Sequence, residues 1–392
     1  MDLLKSIFKG DKVIWIIFLC LCLISIIEVF SAASTLTYKS GDHWGPITQH
    51  SIILMVGAVV VVFLHNVPYK WFQVFPVFLY PISLVLLAFV TLMGIITGDR
   101  VNGAARWMTF MGLQFQPSEL AKMAVIIAVS FLLSKRQDEE GANPKAFKYI
   151  MILTGLVLLL IAPENLSTAM LLFGVVFMMM FIGRVAAKKL LLLAGGLVLI
   201  VALGVGTVVA IPAKTLHNTP GLHRLETWQN RIKGFFDKDE VPAAKFDIDK
   251  DAQIAHARIA IATSHVVGKG PGNSIQRDFL SQAFSDFIFA IVIEEMGLIG
   301  GIFVVFLYLC LLMRAGRIAQ KCERTFPAFL VMGIALLLVS QAILNMMVAV
   351  GLFPVTGQPL PLVSKGGTST LINCAYIGMI LSVSRYTAHL EE

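Results

Sequence analysis

Asp286 stands directly ahead of the apolar run Phe287-Ile288-Phe289-Ala290-Ile291-Val292-Ile293 and closes the longest polar stretch of the chain. A carboxylate at full membrane depth costs ~2.5–3.5 kcal/mol and less near the interface, so one kept at such an edge is the first place to look for chemistry. A second constellation is Gln116-Pro117-Ser118-Glu119-Leu120-Ala121-Lys122. Pro117 suits a first helical position, and Glu119 the first turn, where the helix dipole favours an acid. Lys122, three residues on, shares the face of Glu119 and lies one turn deeper, so the two can pair. Spacing alone leaves open an ion pair that serves a cavity and one that only fixes helix orientation. Arg106-Trp107, just upstream, also suits an interfacial anchor.

Two loops have unusual backbones. Gly268-Lys269-Gly270-Pro271-Gly272-Asn273-Ser274-Ile275-Gln276 is glycine-rich enough to bring backbone amides to a phosphate, although a flexible turn is the plainer expectation. Gly351 to Thr368 contains Pro354, Pro359 and Pro361 among its glycines, which predicts a shaped, non-helical path. Irregular backbone at membrane depth survives only when buried in protein or lining a polar cavity. No Gly-Lys-Ser/Thr phosphate loop occurs, so nucleotide hydrolysis is not expected.

The elements that must position these residues are membrane helices. The 392 residues are 57% hydrophobic and only 14% charged, with a mean hydropathy of +0.81, against about 25% charged residues in soluble domains. The chain reads as one all-α polytopic membrane domain over 1–392, with ten spans. They fall near Val13–Ala33, Ser51–Leu64, Phe75–Ile96, Glu119–Leu133, Tyr149–Ala162, Ser167–Ile182, Lys189–Ile211, Asp286–Leu312, Phe326–Val350 and Thr368–Ser384. A large extracytoplasmic loop, 212–285, separates spans seven and eight. With both termini in the cytoplasm, Lys70, Lys135, Arg136, Lys145, Lys148, Arg184, Lys188, Lys189, Arg314, Arg317, Lys321 and Arg324 all fall inside, and nearly every distinctive residue falls outside. That topology accounts for the net charge of +7 without a nucleic-acid partner.

Five cysteines in apolar segments or a short basic loop indicate neither a disulfide framework nor a zinc site. Residues 225–236 suit a helix lying in the membrane interface. The acidic cluster that follows, Asp237, Asp239, Glu240, Asp247, Asp249 and Asp251, fits no calcium loop and reads as solvated surface.

Taken together, the chain resembles the SEDS family (shape, elongation, division and sporulation), which polymerises peptidoglycan from lipid II. The resemblance spans essentially the whole length. It rests on Arg106-Trp107 with Gln116-Pro117-Ser118-Glu119 and Lys122, on Asp286-Phe287-Ile288-Phe289 with Glu294-Glu295 and Gly297, on Asn345, and on Pro354-Val355-Thr356-Gly357 with Leu360-Pro361, Ser364 and Gly366-Gly367. Gly272-Asn273-Ser274-Ile275-Gln276 looks more like the cell-division member than the elongation member.

The chain departs from the family at three places. Asn165 stands where an Asp is usual, Gln282 where a Glu is usual, and Lys365 where a Tyr is usual.

The resemblance implies a peptidoglycan glycosyltransferase of the cytoplasmic (inner) membrane, working at its outer face, with Asp286 as general base. Candidate substrate contacts are Arg106, Trp107, Gln116, Glu119, Lys122, Asn273, Gln276, Ser364 and Lys365. Positive charge for the leaving pyrophosphate comes from Arg106, Lys122, Lys365 or a divalent cation, Mg2+ or Mn2+. The implied partners are lipid II, undecaprenyl-linked glycan, a class B penicillin-binding protein and other division proteins. Two alternatives are a lipid II flippase, which needs a polar path reaching the cytoplasmic side, and a non-catalytic division scaffold, which would tolerate loss of Asp286.

Overall fold

The computed structural model describes residues 9–32, 45–96, 107–110, 113–138, 141–211, 229, 248–280 and 283–388. Its helices are α1 (Lys12–Ala32), α2 (Gly45–Asn66), α3 (Phe75–Ile96), α4 (Pro117–Lys135), α5 (Pro144–Ile161), α6 (Leu166–Ile182), α7 (Ala187–Ala210), α8 (Ile248–Thr263), α9 (Ile288–Lys321), α10 (Thr325–Ala349) and α11 (Thr368–Ala388). Local chemistry sets several starts. Asp11 Oδ1 accepts from the amides of Val13 and Ile14 at 2.9 and 3.2 Å. Asn143 and Asn165 cap α5 and α6 through Lys145 N and Thr168 N, and Pro117 and Pro144 occupy first-turn positions where a missing N–H is harmless.

All ten expected spans are helices, but only eight are long and apolar enough to cross a membrane by length and composition. α6, at 17 residues, is ~26 Å long against a hydrocarbon core of about 30 Å. α11 is too polar, for a physical reason. It packs most extensively on α2 and buries Ser369, Thr370, Asn373, Ser382 and Ser384 against protein, so it needs no lipid-facing apolar surface. At the other extreme α7 is almost entirely exposed, as befits a helix surrounded by lipid.

The eighth span also corrects the sequence reading. α9 begins at Ile288, leaving Asp286 in the preceding turn, runs on to Lys321, and is broken at Gly297 (φ 73°, ψ −175°). α4, α9 and α10 form the middle of the bundle, with α1, α2 and α11 packed to one side and α3, α5 and α6 to the other. A short hairpin of β1 (Met108–Phe110) and β2 (Leu113–Phe115), paired Thr109 to Gln114, leads into α4. β3 (Gln137–Asp138) and β4 (Gly141–Ala142) pair at the opposite end of the bundle. Three-residue strands carry too little alternation to be legible in sequence.

The ends of the bundle differ in chemistry. Lys70, Lys135, Arg136, Lys145, Lys148, Arg184, Lys188, Lys189, Arg314, Arg317, Lys321 and Arg324 lie at or beside helix ends on one side. There Arg314 Nε meets Asp11 Oδ2 at 2.5 Å, and the Asp11 amide reaches Ser384 Oγ at 2.6 Å, tying α1, α9 and α11 together. The turn holding Asp286 and the loop 350–367 lie at the other side. Of the long loop, residues 248–263 form α8, which packs on α9. Of the interfacial helix expected at 225–236 only Gln229 is among the described residues, its amide donating to the Ile211 carbonyl at 2.8 Å, and the acidic cluster from Asp237 to Asp247 lies outside them.

Candidate active site

Helix α10 organises the site. Gln341 and Asn345, one turn apart on the same face, are both buried. Gln341 Oε1 accepts from Lys122 Nζ at 2.9 Å, and its amide donates to the Pro359 carbonyl at 2.9 Å. Asn345 Nδ2 donates to the carbonyls of Asp286 at 2.9 Å and Gln358 at 2.7 Å. Two rungs of one helix therefore set α4, the start of α9 and the proline-rich loop in register.

Glu119 Oε1 and Lys122 Nζ are 2.8 Å apart, with side chains 3% and 0% exposed. The expected pairing is present, and Lys122 has a neutral acceptor as well. Glu119 Oε2, Asn345 Oδ1, Thr356 Oγ1 and Gln358 Oε1 are buried with no hydrogen-bond partner among the described residues, so lone pairs around the cluster stay open to hydroxyl groups or a cation. Gln116 and Ser118 line a small cavity with Leu87, Thr91, Ile161 and Asn165. Gln358 Nε2 donates to Thr168 Oγ1 at 2.6 Å, which anchors the loop on α6. Asn165, the neutral departure from the family, serves as the α6 cap, a task that needs only an acceptor oxygen.

Asp286 is half-buried and sits just before the first turn of α9, where exposed backbone amides favour negative charge. Ser285 Oγ donates to Asp286 Oδ1 at 3.0 Å. Ser364 Oγ donates to the Ser285 carbonyl at 2.6 Å and accepts from the Leu360 amide at 2.8 Å. The Lys365 amide donates to the Phe284 carbonyl at 2.9 Å, and Lys365 Nζ lies 5.8 Å from the centre of the Phe284 ring. Partial burial lowers the Lys365 ammonium below its ordinary value, because desolvation disfavours the charged form. Leu362, in the same turn, has φ 64°, a conformation costing ~1–3 kcal/mol outside glycine unless the surroundings impose it.

The glycine-rich segment is neither a free turn nor a phosphate cradle. The amides of Gly272 and Ser274 donate to Glu295, and those of Ile275 and Gln276, with Ser274 Oγ, donate to Glu294. Lys269 Nζ pairs with Glu294 at 2.6 Å. Two buried carboxylates have taken the amides that a phosphate would have used. Ser31 Oγ of α1 donates to Glu295 and accepts from Arg277 at 2.8 Å. Asn273 is exposed, with its amide on the Lys269 carbonyl, and Gln276 Oε1 accepts from His256 at 2.7 Å. The bonds of these two residues thus run within their own segment and to α8.

The structure thus brings Asp286, Glu119, Lys122, Ser364 and Lys365 into one connected cluster with Gln116 at its border. Trp107, exposed beside β1, is not hydrogen-bonded into it. Arg106 and Gln282 lie outside the described residues. Gln341, Gln358, Thr168 and Ser285 were not singled out from sequence. A signal existed for Gln341, since an amide four residues before Asn345 in an apolar span marks one polar face.

This arrangement can be set beside known proteins. Residues 11–389 match the family model of FtsW, RodA and SpoVE, described as cell cycle proteins. The chain belongs to this family. Among relatives of the FtsW/RodA family, the probable peptidoglycan glycosyltransferase FtsW of Trichlorobacter lovleyi is 32% identical over 377 residues, covering 95% of this chain and 93% of that protein. The FtsW of Halomonas elongata is 31% identical, covering 93% and 88%. A chain of a solved peptidoglycan synthase complex, described as coordinating polymerization and crosslinking, superposes with a TM-score of 0.73 at 25% identity, covering 97% of this chain and 99% of its own. The rod shape determining protein RodA of Thermus thermophilus shares the fold, with a TM-score of 0.65 at 23% identity and coverage of 96% and 97%.

Proposed function

We propose that this chain is a peptidoglycan glycosyltransferase that polymerises lipid II at the outer face of the cytoplasmic membrane during cell division, with Asp286 as its general base. The observation that carries the reading is the half-buried Asp286 carboxylate, whose backbone is fixed by Asn345, in the same hydrogen-bonded cluster as the Lys122–Glu119 pair. Asp286 takes the proton of the acceptor GlcNAc 4-hydroxyl as that oxygen bonds to the MurNAc anomeric carbon. The bond from that carbon to phosphate breaks, and undecaprenyl pyrophosphate leaves with the electron pair. Lys365, with no carboxylate partner among the described residues, is the side chain best placed to meet the departing charge. Lys122 is largely neutralised by Glu119 and orients the cluster.

Among the described residues no group of three or more His, Cys, Asp or Glu can hold a metal ion. A divalent cation, Mg2+ or Mn2+, would be held chiefly by the diphosphate of the substrate, in keeping with the few carboxylates Mg2+ asks of a protein, and no step depends on it here. The basic residues at the far end of the bundle support cytoplasmic termini and an outward site. The FtsW names of the relatives support the division role, and the synthase-complex neighbour supports a class B penicillin-binding protein as partner.

The flippase reading is disfavoured by what lies below the cluster. α4 continues with Val125, Ile126, Ile127, Val129 and Leu133, and α10 with Leu338, Leu337, Ile334 and Leu330, all buried and apolar. Ser130 between them bonds its own helix at Ile126. A proteoliposome experiment separates the two activities. Fluorescent lipid II supplied on the outer surface, with and without a class B penicillin-binding protein, should yield glycan polymer and no exchange between leaflets. Leaflet exchange without polymer would reverse the assignment.

A further inference from the structure

Behind the Asp286 turn lies a pair of buried side chains that the proposed chemistry does not use. Ser25 on α1 and His50 on α2 are both 0% exposed. Ser25 Oγ donates to the Val363 carbonyl at 2.7 Å and lies 2.8 Å from His50 Nε2. A serine hydroxyl has one proton, and Val363 receives it. His50 must therefore donate from Nε2, which leaves the proton on Nε2 and a bare lone pair on Nδ1, and Nδ1 has no partner among the described residues.

Val363 belongs to a tight turn, with the Val363 and Ser364 amides both on the Leu360 carbonyl at 3.2 and 2.9 Å and Leu362 at positive φ. A turn of that shape, with a leucine where glycine is usual, has to be held from outside. Its front is bonded to the chain around Asp286 through Ser364 and Lys365. Its back is held by Ser25, and by Tyr308 of α9, whose hydroxyl donates to the Pro361 carbonyl.

We infer that His50 is a positioning residue for the catalytic turn, acting through Ser25 and the Val363 carbonyl to fix where Ser364 holds the Ser285 carbonyl, and with it the backbone that leads into Asp286. His50 touches no reacting atom. It orients the Ser25 hydroxyl, the hydroxyl locks the turn, and the turn locks the backbone that carries the base. The link to turnover rests on Asp286 being the base. The link to the turn does not.

Glutamine places an amide N–H close to where imidazole Nε2–H lies, whereas leucine fills similar space and donates nothing. With the full-length protein and its transpeptidase partner, His50→Leu and Ser25→Ala should each lower kcat for lipid II polymerisation about 10–100-fold, the loss expected of a misplaced catalytic group, with KM changed less than threefold. His50→Gln should stay within about threefold of wild type, and the His50→Leu/Ser25→Ala double variant should be no worse than the poorer single one.

Hydrogen exchange of residues 360–366 reads the relay without turnover. Protection should fall in the Leu and Ala variants, hold in the Gln variant, and stay unchanged in α4 and α10. Unaltered protection and rate in His50→Leu would overturn the inference. Equal loss in His50→Gln, or loosening throughout the molecule, would reduce His50 to packing and overturn it as well. Loosening of 360–366 with kcat unchanged would keep the clamp but detach it from Asp286, an outcome distinct from an active Asp286→Asn enzyme.

Discussion

Lys122 is gripped from two sides, by the Glu119 carboxylate and by the neutral amide oxygen of Gln341. Removing one partner of a buried pair leaves the other charge uncompensated, at a cost of ~3–5 kcal/mol, whereas removing both can be nearly neutral. Glu119→Gln alone should therefore lower thermal stability in detergent, and adding Lys122→Met should restore most of it. If the ammonium also holds Gln341 and the loop behind Pro359, polymerisation should remain depressed in the stable double variant. Recovery of stability and activity together would make the pair a purely structural device. The pairing could be read from the spacing of Glu119 and Lys122, but Gln341 could not be assigned a partner, because its neighbour in space is 219 positions away in sequence.

At the scale of elements, α9 depends on two glycines that meet backbone to backbone. A Cβ on Gly297 would lie 2.3 Å from the Val266 carbonyl oxygen, and one on Gly268 would lie 2.3 Å from the Gly297 amide nitrogen. Both residues have positive φ, 73° and 80°. Across the break, Leu298 and Ile299 donate to the carbonyls of His265 and Val266, while Lys269 and Gly270 donate to those of Glu294 and Glu295. The segment 265–270 thus replaces the helical bonds that α9 forgoes. Gly297→Ala and Gly268→Ala should each destabilise by roughly 3 kcal/mol or more, combining clash with a forbidden backbone. The double variant should cost less than the sum, since both report one contact. Independent, additive effects in thermal unfolding would show the contact is not shared. Hydropathy alone located this helix but not its break, because a single glycine in an apolar run carries no mark of the irregular segment that will lie against it. The glycine-rich segment misled for the same reason, as its amide acceptors, Glu294 and Glu295, come about twenty residues later.

For the molecule as a whole, polar chemistry is gathered at one end of an apolar bundle. Helices that face lipid, such as α7, carry none of it, and helices that carry it, such as α4, α10 and α11, are shielded by the others. Composition made that division legible, since ten of the helices and their order follow from apolar stretches alone, eight of them long and apolar enough to cross a membrane. Which loops converge does not follow, because the site joins residues from α4, α9, α10 and the 350–367 loop that only tertiary packing brings together. The central claim is that this end of the bundle polymerises glycan through Asp286. The most direct measurement is polymer yield from purified lipid II, resolved on a gel, for wild type and Asp286→Asn in complex with the transpeptidase. Asparagine keeps shape and hydrogen bonding but cannot accept the proton, so the rate should fall about 10²–10⁴-fold with expression and thermal stability preserved. A rate within a few-fold of wild type would contradict the account and remove Asp286 from the mechanism.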